Sequence, residues 1–240
     1  MKIKQGIIQN QSGFTLVELL IAMVVAMLVS AAVYASYKVQ QQTYKVQTQV
    51  TEIQQNLRAG MEMMTREMKM AGYDPSWSGE YGIDNSSSAD SFRFTADLCE
   101  DGGEAKDSGV CPPSTPYAGD SLQEKYQYEL YPPGTADDDD TTALRRIPGG
   151  PAIAENIEFI EFYYILKNGT GTTNPNPAQM VDVRSVRVTM VARADEPDFK
   201  YTNTDTYPLG SGAPDYDPPD DNYRRRSLIR TIELRNMGLI

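Results

Sequence analysis

From Phe14 to Tyr37 the chain reads FTLVELLIAMVVAMLVSAAVYASY, apolar around the whole circumference of any helix it could form and long enough to cross a bilayer core. Beyond it the pattern changes but the period does not. Val39, Val46, Val50, Ile53, Leu57, Met61, Met64, Met68 and Ala71 recur at steps of three, four or seven, with Gln, Thr, Lys and Glu on the other faces. No Pro or Gly falls between Phe14 and Arg58, so one helix is predicted over 14–71. At the α-helical rise that is about 87 Å, far more than a hydrocarbon core of about 30 Å requires. Residues 14–37 therefore form the apolar half of the helix. Residues 38–71 form an amphipathic half whose stripe needs cover, which a wall of a folded domain's core would provide. Met61, Met63, Met64 and Met68 read as gap-filling core in that wall rather than as an adaptable partner surface. Gly72 stops the helix in the manner of a C-cap, and Asp74-Pro75 prevents its resumption.

Residues 72–240 alternate short strand-like runs with turn-rich segments. Phe92, Phe94 and Ala96 alternate with Arg93 and Thr95; Tyr126, Tyr128 and Leu130 alternate with Lys125, Gln127 and Glu129. IEFIEFYYIL, Ile157 to Leu166, is apolar on both faces and fits a central strand. Val186, Val188, Met190 and Ala192 alternate with Arg187, Thr189, Val191 and Arg193, and Ser227 to Arg235 places Leu228, Ile232 and Leu234 on one face. Strand-helix-strand alternation is missing, which predicts an α+β fold: one long N-terminal helix packed on a C-terminal antiparallel β-sheet with acidic loops.

One residue disturbs the apolar run. Glu18 sits near its start, and an ionised carboxylate within a bilayer costs a few kcal/mol unless it has a partner. An ordinary secretory signal, for which Ala31, Ala32 and Ala35 would supply a cleavage site, does not account for it, and neither does a simple single-span anchor. The surrounding residues Gly13-Phe14-Thr15-Leu16-Val17-Glu18, behind the short leader MKIKQGIIQNQSG with Lys2 and Lys4, resemble the cleavage and methylation signature of type IV prepilins. That resemblance implies a leader over residues 1–13, cleavage by a prepilin peptidase between Gly13 and Phe14, N-methylation of Phe14 and a role for Glu18 in subunit assembly. Arg58 to Tyr73, ending in Ala-Gly-Tyr, resembles the close of the long helix in PilW-type minor pilins, and the final Leu234-Arg235-Asn236 resembles the end of their last strand. Many major pilins carry a helix-kinking Pro about twenty residues into the mature chain; here Ala35 and its neighbours stand there, as suits a minor subunit.

The family implies storage in the bacterial inner membrane as a single-pass protein with a periplasmic C-terminal domain, followed by extraction into a pilus at the cell surface. Its partners would be the prepilin peptidase, other major and minor pilins, the pilus assembly platform and inner-membrane lipid. Glu18 could then meet the positive N-terminal amine of an adjacent subunit. Two readings compete with a type IV pilus subunit. A type II secretion minor pseudopilin shares the signature, and a single-span anchored adhesin or carbohydrate-binding protein would never polymerise.

Composition narrows the chemistry. With 22 Lys+Arg against 33 Asp+Glu the net charge is −11, and loss of Lys2 and Lys4 with the leader takes the basic count from 22 to 20, a net −13. An acidic surface of this kind repels nucleic acid, and no direct binding to it is expected. The absence of His excludes Ser-His-Asp and Cys-His centres and the commonest zinc ligand. The sequence therefore reads as assembly and binding rather than catalysis, with no cofactor, no metal and no catalytic residue. Asp137 to Asp140 and the acidic, Pro-rich Ala194 to Tyr223 read as solvated loops. A calcium site is the competing reading, but no D-x-D-x-D-G spacing appears. The fifteen Tyr residues read as strand packing rather than a carbohydrate platform.

Cys99 and Cys111 stand in an acidic, Gly-rich segment, and in an exported protein such a pair is expected to form a disulfide. It would close a loop of about a dozen residues and stabilise by about 3 kcal/mol in the chain-entropy model. The bridged protein should resist maleimide labelling until it is reduced, and ready labelling without reductant would rule the bridge out.

Overall fold

The computed structural model describes residues 13–74, 81–96, 125–131, 142–147 and 152–238. Cys99, Cys111 and Asp137 to Asp140 lie outside the described residues. The chain divides into two units, Met1–Gln47 and Thr48–Ile240, and helix α1, Leu16–Met68, contributes to both. The predicted 14–71 was too long by a cap at one end and a turn at the other. Thr15 caps the start, and after Met68 the chain tightens into successive turns, with Ala71 N–H donating to the Met68 carbonyl. Gly72 follows at φ +74, a left-handed conformation that costs Gly little, and its N–H donates to Thr95.

In the first unit α1 buries nothing: every residue from Gly13 to Gln41 is exposed. In the second unit the predicted stripe is core from Ile53 onward. Ile53, Leu57, Met61, Met64, Met68 and Ala71 are buried and Val50 half-buried, while the stripe's earlier positions in the first unit are half-buried at Val46 and exposed at Val39. Each fully buried side chain of this size contributes about 1.5–3 kcal/mol. Met63 stands apart from its three neighbours and points outward. Gly60 is buried on the same stripe, where a Cβ would lie 3.1 Å from the Ala154 side chain and 3.3 Å from that of Leu144, so its bareness lets the helix approach the strands closely.

Where the pattern led to one sheet, the described strands form two, each four-stranded and antiparallel. The first contains β1 (Ser91–Thr95), β2 (Lys125–Tyr131), β3 (Ala143–Ile147) and β4 (Ala154–Glu155) in that order. The second contains β5 (Ile157–Leu166), β6 (Gly171–Thr172), β7 (Val183–Arg193) and β8 (Arg225–Glu233), ordered β6-β5-β7-β8. The apolar run at Ile157 is thus an interior strand, as expected. A one-turn helix, α2 (Pro177–Met180), precedes β7 and is closed by a capping box between Asn176 and Gln179.

One residue makes the division into two sheets. Asn156, between β4 and β5, has φ 59, a left-handed conformation that Asn tolerates better than most side chains. The chain turns there from one sheet into the next, with Arg193 N–H donating to the Asn156 carbonyl at 3.0 Å and Ile157 N–H to that of Thr142 at 3.1 Å. The sheets share one core with α1. Phe92 of β1 packs on Phe162 and Tyr164 of β5 with ring centroids 5.7 and 6.1 Å apart, and the Tyr164 hydroxyl donates to the Ser88 carbonyl at 2.9 Å. Polar locks hold the helix to the first sheet: Glu67 accepts from the buried Tyr128 hydroxyl and pairs with Arg146 at 3.0 Å. Burial first, then the neighbouring Glu67 charge, pushes the Tyr128 hydroxyl well above its ordinary pKa, so it stays a donor.

The acidic stretch between β7 and β8 is not simply solvated. Arg224 pairs with Asp198 at 2.8 Å and stacks on Tyr201 at 4.2 Å. Arg225, wholly buried, is clasped between Glu158 of β5 at 2.5 Å and Asp221 at 2.6 Å. Burial alone would disfavour its charge, and the hydrogen bonds it donates to the Asp221 and Glu158 carboxylates outweigh that, raising its pKa. Asp221 is held below the usual carboxylate range chiefly by its hydrogen bond from Arg225.

Removing the cation leaves two half-sheltered carboxylates facing each other, so Arg225→Ala should lower stability by about 3 kcal/mol at neutral pH. A depressed carboxylate contributes stability that is present above its unfolded pKa, about 3.9, and lost as pH falls through the folded one. The gap between wild type and variant should therefore narrow from pH 7 to pH 3 in urea unfolding of the full chain in detergent. Equal midpoints at pH 7 would refute the clasp's role.

Candidate functional site

The residues that the signature singles out lie together at the start of α1. Gly13 is exposed with no atom within 4 Å of where a side chain would begin, and Phe14 is 91% exposed. A peptidase would meet both without unfolding anything among the described residues. Thr15 is the helix N-cap. Its hydroxyl oxygen accepts from Glu18 N–H at 3.2 Å, while Glu18 Oε2 accepts from Thr15 N–H and from the Thr15 hydroxyl, both at 2.9 Å. This reciprocal pair is a capping box, and it satisfies two of the amide donors that every helix start leaves open.

The carboxylate thus already has a partner within its own chain. The sequence reading missed Thr15, although the signal was present: Thr15-Leu-Val-Glu18 is the S/T-x-x-E pattern ahead of an apolar run. Glu18 therefore does not depend on another subunit for a partner. Cleavage after Gly13 would leave the box intact, because the Thr15 amide belongs to the Phe14–Thr15 peptide bond.

Below Glu18 the helix presents a shallow apolar channel of about 610 Å³ along one face, lined by Ile21, Ala22, Val25, Ala26 and Val29 with the carboxylate at its end. Ala22 and Ala26 make it concave: their short side chains let another apolar helix approach closely. Leu16, Val17, Leu19, Leu20, Val24, Val25 and Leu28 are all half-exposed or more. The helix is long and apolar enough to cross a membrane by length and composition. Its polar end begins where Lys38 Nζ lies 5.2 Å from the Tyr34 ring and Gln41 donates to the Tyr37 hydroxyl at 2.7 Å, an amphipathic aromatic and basic girdle of the kind found at bilayer boundaries. Among the described residues no group of three His, Cys, Asp or Glu is placed to hold a metal ion.

Two families match. The Prokaryotic N-terminal methylation motif covers residues 8–34, which include Gly13, Phe14, Glu18 and the channel. Type IV Pilus-assembly protein W matches residues 152–236, from the end of the first sheet through β8. Among solved structures, a type IV-like pilin from Thermus thermophilus is similar over 77% of this chain and 97% of its own, with 16% sequence identity and a TM-score of 0.48. No curated protein matches the chain. The methylation motif thus lies on the exposed apolar helix, and the second match spans the second antiparallel sheet. The two matches make the chain similar to type IV pilus minor pilins of the PilW kind at its first helix and over its last strands.

Proposed function

We propose that this chain is a minor subunit that enters a type IV pilus, or primes its assembly, through its N-terminal helix after removal of residues 1–13. One observation carries the proposal: from Phe14 on, the segment matching the methylation motif is a helix whose large apolar side chains have no cover among the described residues. Such a surface is stable in lipid or among other helices of its kind and nowhere else. The prepilin peptidase would cut between Gly13 and Phe14 and methylate Phe14. The C-terminal unit would lie on the periplasmic side until the subunit joins other pilins at the assembly platform. Lipid and neighbouring helices would occupy the same face in turn.

In this reading Glu18 has two successive duties. It closes the capping box in the single chain, and among packed apolar helices it pairs with the N-terminal amine of a neighbour, because an unpaired charge there would be strongly destabilising. Sequencing the mature N-terminus tests the processing step. A chain beginning at methylated Phe14 supports it, and one beginning at Met1 or after Ala35 refutes it. A type II secretion minor pseudopilin would give the same N-terminus, and the neighbouring genes separate the two.

The two duties of Glu18 are separable by chemistry. Gln at this position still closes a capping box but carries no charge. Glu18→Ala and Glu18→Gln should therefore both leave export and cleavage largely intact and both reduce the subunit's abundance in sheared filaments by at least about tenfold, because each leaves the neighbour's buried amine unpaired. If Glu18→Gln behaves as wild type at matched membrane levels while Glu18→Ala does not, the residue is a cap alone.

A further inference from the structure

In a protein of net charge −11 one groove is basic. It has a volume of about 660 Å³ and lies where the end of α1 meets β8, lined by Arg66, Lys69, Arg230 and Arg235, with Glu62 the carboxylate on its wall and Tyr73 beside them. All four cations are exposed, and none has a hydrogen-bond or ion-pair partner for its charged group among the described residues. Arg66 and Lys69 by themselves would be explained as cations that complement the negative C-terminal end of a helix. Arg230 and Arg235 have no such duty. They come from β8 and the turn just past it, more than 160 positions away in the sequence, and the Asn236 side chain ties that turn to the chain just past the helix by donating to the Lys69 carbonyl at 3.1 Å. The fold thus holds four like charges around one opening, although acidic side chains outnumber basic ones in the chain.

We infer that this groove is a docking site for a carboxylate-rich loop of a neighbouring pilin subunit, an inference whose choice of partner rests on the pilin reading above. Charge decides the class of occupant. Duplex nucleic acid carries one negative charge per about 1.7 Å of axis, so any length beyond the groove would meet a protein surface of its own sign. A short acidic loop places its charges in the groove and little elsewhere. The guanidinium groups of Arg66, Arg230 and Arg235 can each take a carboxylate through two N–H donors, and Tyr73, 39% exposed, gives the loop backbone an amphipathic wall. The sequence itself contains a run of that composition, Asp137 to Asp140, which supplies a probe.

The test uses the full chain in detergent and a fluorescent peptide of residues 134–143, GTADDDDTTA, with binding followed by anisotropy. The acidic peptide should bind and the Asn counterpart, GTANNNNTTA, should not. Raising salt from about 0.05 to about 0.5 M should weaken binding by about tenfold or more. The pair Arg66→Gln and Arg230→Gln should weaken it by at least about tenfold, while Arg66→Lys with Arg230→Lys, which keeps the charge, retains most of it. Equal binding by the Gln pair overturns the proposal, as does tighter binding of a dT12 oligonucleotide than of the peptide. Tenfold tighter peptide binding by a chain whose own Asp137 to Asp140 are Asn would show the groove filled from within, and that also overturns it. A mature chain beginning at Met1 would remove the pilin reading without touching peptide binding, so the two failures are told apart.

Discussion

Everything in this protein follows from a helix with two apolar surfaces, of which the described residues cover one and leave the other bare. From Ile53 to Ala71 the stripe is sealed by two sheets, with the largest side chains between 0% and 3% exposed. From Phe14 to Tyr37 the apolar residues are exposed on all sides. A sealed stripe makes a stable folded unit, while an unsealed one obliges the molecule to live in lipid or in company. The boundary between them is gradual, through Val46 and Val50, and Gln49 marks it by donating its side-chain amide to the Glu196 carbonyl at 2.9 Å.

The sealed half depends on close approach as much as on hydrophobicity. Gly60 has to be bare because Ala154 and Leu144 occupy the space its side chain would need, so β3 and β4 can lie against the helix. Glu67 then bonds the helix to Tyr128 and Arg146 on the same sheet, and Gly72 turns the chain away to hydrogen-bond with β1. The second sheet is fixed differently, through the aromatic stack about Phe92 and through Arg225, which draws β5 and the acidic stretch before β8 together.

The long helix and the strands with clean alternation were legible because a period is a property of the chain alone. Ile157–Leu166 could be placed from sequence to the residue, and β1, β2, β7 and β8 to within a few residues. β3 could not, because Arg145 and Arg146 interrupt its alternation; in the fold they lie over Tyr131 and Tyr126 at 4.2 and 4.6 Å, so aromatic faces accept what the pattern reads as solvent-facing. β4 and β6, two residues each, are too short to have a period at all. The division into two sheets rested on a single Asn in an unusual conformation, and the ion pairs of Arg224 with Asp198 and of Arg225 with Glu158 rested on contacts across tens of residues. At the N-terminus the positions of Gly13, Phe14 and Glu18 were legible as a motif, but the local partner of Glu18 was passed over in favour of a distant one.

That local partner changes what the carboxylate means. A helix start buried in lipid leaves amide donors with no water to take them, and each unsatisfied group costs several kcal/mol. Thr15 and Glu18 satisfy two of them from within the chain, so the carboxylate has a use before any neighbour arrives. The same oxygen atoms lie at the end of the small-residue channel along Ala22 and Ala26, where a second helix would fit. A helix arriving there brings its own open amide donors, and, if processed, a positive amine as well. The carboxylate has two oxygens and about four acceptor sites, and the cap engages only Oε2. Oε1 is left for the newcomer, so capping and pairing need not compete: the group that completes one helix retains the capacity to join it to the next.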